Sequence, residues 1–146
     1  MRFALTIETS AGVSEHRTNL IVGISNRLSE YFRDRDYGSD VRTILIGVIC
    51  VAPEFEWFSK LRRPKYVRYR KYVLDGIEII EDRVFSFDIR IDYEQFNRQD
   101  DEDNIRMVTA KIIESLINLE DIPAASKAFD KGRFIKDVTS FLREVA

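Results

Sequence analysis

The sequence has few of the residues on which catalytic and metal sites are usually built. It contains one histidine, one cysteine and one tryptophan. His16 and Cys50 have no spacing typical of zinc ligands, and no motif places a nucleophile or an acid against His16. The glycines Gly38 and Gly47 stand alone, so no phosphate-binding loop is indicated. We therefore expect no metal site, no cofactor and no enzymatic activity.

The chain also lacks long apolar runs and a partner for its single thiol. No stretch approaches the ~18 apolar residues that a membrane span requires. Residues 3 to 8 alternate and include Glu8, which favours a strand over a signal peptide. Because Cys50 has no second cysteine to pair with, a reducing compartment is expected. These features predict a cytoplasmic protein that contacts no membrane, with residues 1–146 forming a single domain.

The clearest pattern in the sequence is a strand near its middle. Apolar and polar side chains alternate there without a break, the apolar set being Phe85, Phe87, Ile89 and Ile91 and the polar set Ser86, Asp88, Arg90 and Asp92. A strand with one apolar face is typical of antiparallel sheets whose other face meets water. The polar set, which includes Asp88, Arg90 and Asp92, is interpreted as a solvated row of charges.

Other segments complete an α+β fold. Strands are predicted near residues 3–7, 41–51 and 65–73, the second of them central because it is apolar on both faces, and Asp75-Gly76 indicates a hairpin turn. Helices are predicted from Ser14, from about residue 100 and from Asp130, with a linker at Pro123. The order is strand, helix, three strands, two helices, in a mostly antiparallel sheet with the helices on one face. Parallel pairing of the first strand stays open, because a helix links it to the second.

The charges are strongly segregated along the chain, although the net charge is only −2. Residues 57–74 carry seven basic and no acidic side chains, and residues 75–104 carry eleven acidic and three basic ones. Alternation in residues 65–73 places Tyr66, Arg68, Arg70 and Tyr72 on one face. The basic and aromatic stretch 60–72, which includes this face, is interpreted as a solvated strand, as a contact for a toxin or as a site for single-stranded nucleic acid.

Four segments carry a family resemblance. They are residues 36–38 (Asp-Tyr-Gly), 90–96 (Arg-Ile-Asp-Tyr-Glu-Gln-Phe), 111–116 (Lys-Ile-Ile-Glu-Ser-Leu) and 128–130 (Ala-Phe-Asp). In this order they resemble immunity protein family 44 of bacterial polymorphic-toxin systems. The resemblance implies that the protein binds and neutralises a cognate toxin, and it supplies no catalytic residue.

Three groups of residues are candidates for contact with such a toxin, and the basic and aromatic stretch described above is one of them. Many toxins of these systems attack nucleic acid and present a basic cleft, which the acids of residues 92–103 would match, although acids there also cap a helix. Trp57, with Phe55 and Phe58, either closes the end of the sheet or anchors an interface. The candidate toxin-binding residues are Trp57, Tyr66, Arg68, Arg70, Asp92, Glu94, Asp100, Asp101, Glu102 and Asp103.

Overall fold

The computed structural model describes residues 1–10, 12–58, 60–119 and 129–145. Its elements are β1 (Arg2–Thr9), α1 (Glu15–Phe32), β2 (Thr43–Cys50), a 3-10 helix (Pro53–Phe58), β3 (Lys65–Leu74), β4 (Ile77–Arg90), α2 (Tyr93–Arg98), α3 (Asp101–Ile117) and α4 (Lys131–Val145). The α+β class is confirmed. The predicted order of elements is wrong at one place. One helix was predicted between the last strand and the C-terminal helix, and the structure has two, α2 and α3. The linker predicted at Pro123 and residue Ala128 of the family motif lie outside the described residues.

The four described strands form one sheet in the order β1-β2-β4-β3. β1 pairs with β2 and β2 with β4 in parallel, and only β3 and β4 are antiparallel. The prediction of a mostly antiparallel sheet is therefore wrong, although the parallel pairing left open for β1 is present. The alternation in β4 was misleading because its second face is covered by other parts of the chain rather than by water.

The helices pack on one face of the sheet and form the main core there. Ile44, Ile46, Val48 and Cys50 of β2 lie in this core with buried side chains of α1, α3 and α4. All eight residues of β2 are buried, because β1 and β4 flank it and both of its faces are covered. The predictions of a central β2 and of helices on one face are confirmed for the described residues.

The hairpin of β3 and β4 covers the second face of the sheet. Its two-residue turn is Asp75-Gly76, with φ of 52° and 74°, as predicted from the sequence. Tyr72 of the hairpin packs with Ala4, Leu45 and Val84 in a second, smaller cluster, to which no helix residue of the described ranges belongs. The hairpin thus takes the place of water on this face.

A single residue, Arg83, changes the direction in which the hairpin side chains point. Its φ of 55° is left-handed, which an arginine seldom adopts, and it lies where β4 leaves its pairing with β2. Tyr66 packs against the helix-side core, but Tyr72, six residues later, lies in the second cluster. The prediction that Tyr66 and Tyr72 share one face is wrong, because the alternation shifts by one residue at this point.

Candidate functional site

Three aromatic side chains of the 3-10 helix project into solvent at one edge of the molecule. Phe55, Trp57 and Phe58, which we call the aromatic ridge, are 40%, 70% and 60% exposed. Their rings contact one another, with centroids 3.5 Å apart for Trp57 and Phe58 and 6.1 Å apart for Phe55 and Phe58. The interpretation that these residues close the end of the sheet is wrong. Contiguous exposed apolar patches of this kind often mark sites of interaction with a partner.

The position of the aromatic ridge follows from the end of β2. Pro53 has no amide hydrogen to extend the strand, and the chain turns into the 3-10 helix, where the Phe55 amide donates to the Ala52 carbonyl at 2.8 Å. The Ala52 amide donates to Ser10 Oγ at 2.8 Å, which ties the turn to the end of β1. The ridge therefore stands at the carboxyl edge of the parallel strands.

The chain returns from the ridge to β3 through residues 60–64, which we call the return segment, and one ion pair fixes it. The Asp88 carboxylate accepts hydrogen bonds from the Arg62 backbone amide at 2.8 Å, from Nε at 2.9 Å and from Nη2 at 3.0 Å. The Asp88 side chain is only 3% exposed. Hydrogen bonding to this carboxylate raises the pKa of the Arg62 guanidinium. The interpretation of Asp88 as part of a solvated row of charges is wrong.

Gly47 provides the space for this ion pair. A Cβ atom at residue 47 would lie 2.2 Å from Asp88 Oδ1 and 3.2 Å from Arg62 Nη2. The sequence indicated Gly47 only as an isolated glycine and Arg62 only as a member of the basic stretch 60–72, and the pairing of Arg62 with Asp88 was not predicted. The available indication was the glycine itself, because a glycine inside an apolar strand often marks a close approach of another group.

A groove of about 420 Å³ lies beside the aromatic ridge. Its walls are Val51, Pro53, Glu56, Arg90, Ile91, Asp92, Tyr93, Glu94 and Lys111. Asp92 caps α2 by accepting a hydrogen bond from the Gln95 amide at 2.7 Å, and Glu56 lies 4.0 Å from Arg90. We call this the acidic groove, because its three acids outnumber its two bases. The candidates Asp92 and Glu94 thus line the same groove as Pro53 and Glu56. The candidate Trp57 lies on the same 3-10 helix as Pro53 and Glu56.

The other acidic candidates have partners within the protein. Asp100 caps α3 by accepting from the Asp103 amide at 2.9 Å, and Asp101 lies 2.7 Å from His16 Nε2. Glu102 and Asp103 both pair with Arg106. The capping interpretation therefore applies to Asp100, and a contact between this group and a toxin stays a prediction.

The basic candidates on β3 lie away from the aromatic ridge. Tyr66 is half-buried and its hydroxyl lies 3.5 Å from Asp40, in the loop before β2, whereas Arg68 is exposed further along the strand. The Arg70 side chain is outside the described part of the structure. Of the three tyrosines in residues 66–72, only Tyr69 is exposed, so the row of stacking residues expected for a nucleic-acid site is not formed.

Across the described ranges, no three side chains of histidine, cysteine, aspartate or glutamate are grouped so that they would hold a metal ion. None of the helices in those ranges combines the length and the apolar character needed to cross a bilayer.

Comparison with known proteins gives one match. No curated protein and no solved structure is similar to the chain at a significant level. A family model described as Immunity protein 44 matches residues 1–144, which covers almost the whole chain and includes the ridge, the groove and all candidate residues. The chain therefore belongs to the immunity protein 44 family.

Proposed function

We propose that this protein neutralises a cognate bacterial polymorphic toxin by binding the toxin domain directly, in the cytoplasm of the producing cell and without catalysis of its own. Membership of the immunity protein 44 family supports the immunity role and a toxin as the partner. The aromatic ridge is the observation that supports direct binding, because tryptophan is the residue most enriched among the hot spots of protein interfaces.

The ridge is suited to binding because its surroundings are held in place before a partner arrives. Pro53, the hydrogen bond from the Ala52 amide to Ser10 and the Arg62–Asp88 ion pair fix the chain on both sides of Trp57. A side chain carried on a fixed backbone loses less conformational entropy on binding than one carried on a mobile loop. More of the free energy gained by burying Trp57 against a partner then contributes to affinity.

The test uses the toxin domain encoded next to the gene, in a catalytically inactive form for binding and in its active form for protection of cells. Trp57→Ala should weaken binding by about 30-fold or more, which corresponds to the ~2 kcal/mol of a hot-spot residue. Cells that carry this variant should lose protection. The melting temperature should change little, because Trp57 is 70% exposed.

The matched control is Tyr69→Ala. Tyr69 is 66% exposed but lies on the hairpin, away from the ridge. This variant should protect cells and bind the toxin domain like the wild type. If the wild type neither binds the toxin domain nor protects cells, the proposed function is wrong. If Tyr69→Ala rather than Trp57→Ala abolishes binding, the ridge is not the binding surface.

A further inference from the structure

We infer that the aromatic ridge and its two flanks form one docking surface for a toxin with an apolar pocket between a basic lip and an acidic lip. This inference rests on the proposed function and specifies the chemistry of the partner. The ridge is convex, so its partner must be concave at this point. The charges beside the ridge then decide which concave surface fits and in which orientation.

The first flank is the acidic groove, which reaches the helix side of the sheet through Tyr93 and through Lys111 of α3. The exposed acids Asp92 and Glu94 face it, and the exposed Glu54 lies on the 3-10 helix that forms its border. With Glu54 and Glu56 counted, this flank has four acids against the two bases Arg90 and Lys111, so it has an excess of negative charge. A partner that covers this flank must supply positive charge, since like charges brought together without water oppose binding.

The second flank is the return segment, on the opposite side of the sheet. Arg62 is paired with Asp88, whereas Lys60 and Arg63 are exposed beside it and carry the positive charge of this flank. Trp57 and Phe58 of the ridge lie in the chain between Glu56, which lines the acidic groove, and Lys60, which begins the return segment. Charges of opposite sign on the two sides of an apolar anchor select one orientation of the partner, because a partner turned by half a revolution would meet like charges on both sides.

Of the acids predicted from sequence to contact a toxin, Asp92 and Glu94 belong to this docking surface, and the four acids at the start of α3 do not. Asp100 is engaged as a helix cap, and Asp101, Glu102 and Asp103 are paired with His16 or Arg106. Breaking these pairs would cost free energy and would offset part of the binding free energy that contact with a partner contributes. Glu54 and Glu94 are exposed and border the ridge or its groove, and within the described part of the chain neither forms an ion pair, so both can present their charge to a partner without losing one.

The experiment measures association rates with the purified, catalytically inactive toxin domain encoded next to the gene. Two double variants reverse the flanks: Glu54→Lys with Glu94→Lys, and Lys60→Glu with Arg63→Glu. Each should slow association by about tenfold at ~50 mM salt, and by less than about threefold at ~500 mM salt, because salt screens exposed charges. Trp57→Ala should instead speed dissociation.

A third double variant, Asp34→Lys with Glu114→Lys, changes the net charge as much as the first but lies outside both flanks. It should leave the association rate within about twofold of the wild type. An equal effect of this variant and the first would mean that only net charge matters, and would overturn the inference. Wild-type rates in both flank variants would also overturn it, while leaving the proposed function intact if the wild type still binds and protects.

A second copy of the protein is the competing occupant of the ridge. Sedimentation of the purified wild type distinguishes the two occupants, because a monomer at micromolar concentration supports the toxin as the occupant. A dimer that Trp57→Ala converts to monomers would overturn the inference. Absence of any binding to the toxin domain would overturn both this inference and the proposed function.

Discussion

Arg62 reaches the Asp88 carboxylate with its backbone amide and with its guanidinium at the same time, although 26 positions separate the two residues. This double attachment fixes the backbone as well as the side chain. The return segment is therefore held against the sheet at the point where the chain leaves the aromatic ridge. Several residues that sequence patterns did not single out thus determine how rigid the ridge is.

Arg62→Ala should lower the free energy of unfolding by about 1–3 kcal/mol, because Asp88 loses two of its hydrogen bonds. A larger loss is not expected, since Arg62 is 62% exposed and its removal would let water reach the carboxylate. Because Trp57 is the only tryptophan, its fluorescence anisotropy reports on the mobility of the ridge. This anisotropy should fall in Arg62→Ala. The neighbouring Arg63→Ala, as a control, should change neither measurement. An unchanged anisotropy in Arg62→Ala would show that the ion pair does not hold the ridge.

Gly47→Ala should also lower the free energy of unfolding, because it displaces the other partner of the ion pair, Asp88. The added methyl group would overlap Asp88 Oδ1 at 2.2 Å, and the carboxylate must move away from Arg62. Overpacking of this kind typically costs about 1–3 kcal/mol of stability. Gly23→Ala is the control, because nothing lies within 4 Å of a Cβ atom at residue 23. Urea unfolding should show the loss in the first variant alone. Equal stability of both variants would mean that the sheet relaxes around residue 47.

Tyr37→Phe should destabilise the packing of α4 by about 1–2 kcal/mol. The Tyr37 hydroxyl donates to Asp137 of α4 at 2.5 Å, and the side chain is 3% exposed. Burial and this hydrogen bond raise the pKa of Tyr37 above its ordinary value, so the hydroxyl stays protonated in mildly alkaline solution. Asp137 also lies 3.3 Å from Arg35, which keeps the loss moderate. Thermal unfolding measures this loss of stability. As a control, Tyr31→Phe keeps the ring packing on Phe141 and should cost less than about 0.5 kcal/mol in the same measurement.

The stability of the protein should fall at alkaline pH through Cys50. Burial, with a smaller contribution from the charge of Asp92, raises the pKa of the Cys50 thiol to about 11. Because an unfolded thiol titrates near 8.5, the native state binds this proton more tightly, and the resulting stability is complete below pH ~8.5 and lost as the pH rises towards 11. The difference in unfolding free energy between the wild type and Cys50→Ala should be constant up to pH ~8.5 and shrink above it. A constant difference up to pH 11 would contradict this.

Helix capping and toxin contact by the acids of α3 can be separated by mutation. Asp100→Ala should cost about 1 kcal/mol of stability through loss of the cap, with little change in binding to the toxin domain. Asp101→Asn with Asp103→Asn should cost less stability, because exposed ion pairs contribute little. A marked fall in the association rate of this second variant, measured beside the first, would place these acids at the toxin interface, and an unchanged rate would restrict them to a structural role.

The elements that sequence predicted correctly are those specified by their own residues. β2 is apolar on both faces and is central, and the Asp75-Gly76 turn has the backbone angles that these residues favour. The aromatic cluster at Phe55, Trp57 and Phe58 was recognised, but whether it is buried or exposed stayed open, because exposure depends on what else reaches that edge of the sheet.

The features that sequence missed depend on contacts between distant segments. Asp88 alternates like a solvated residue and is buried only because Arg62 reaches it over Gly47. The face of Tyr72 depends on the left-handed Arg83 of the neighbouring strand. The direction of β4 relative to β2 depends on the path of the chain between them. Neither propensity nor periodicity carries this information.

The central position of β2 has a consequence for the synthesis of the protein. One of its partners, β1, precedes it, but the other arrives much later, since Val48 pairs with Ile89. Until the ribosome has released β4, a nascent chain exposes one edge and one apolar face of β2. Folding must therefore wait for distant pairings, which slows it and leaves an interval open to aggregation. The unpaired edge of β2 is therefore the part of the nascent chain at which association with other chains would begin.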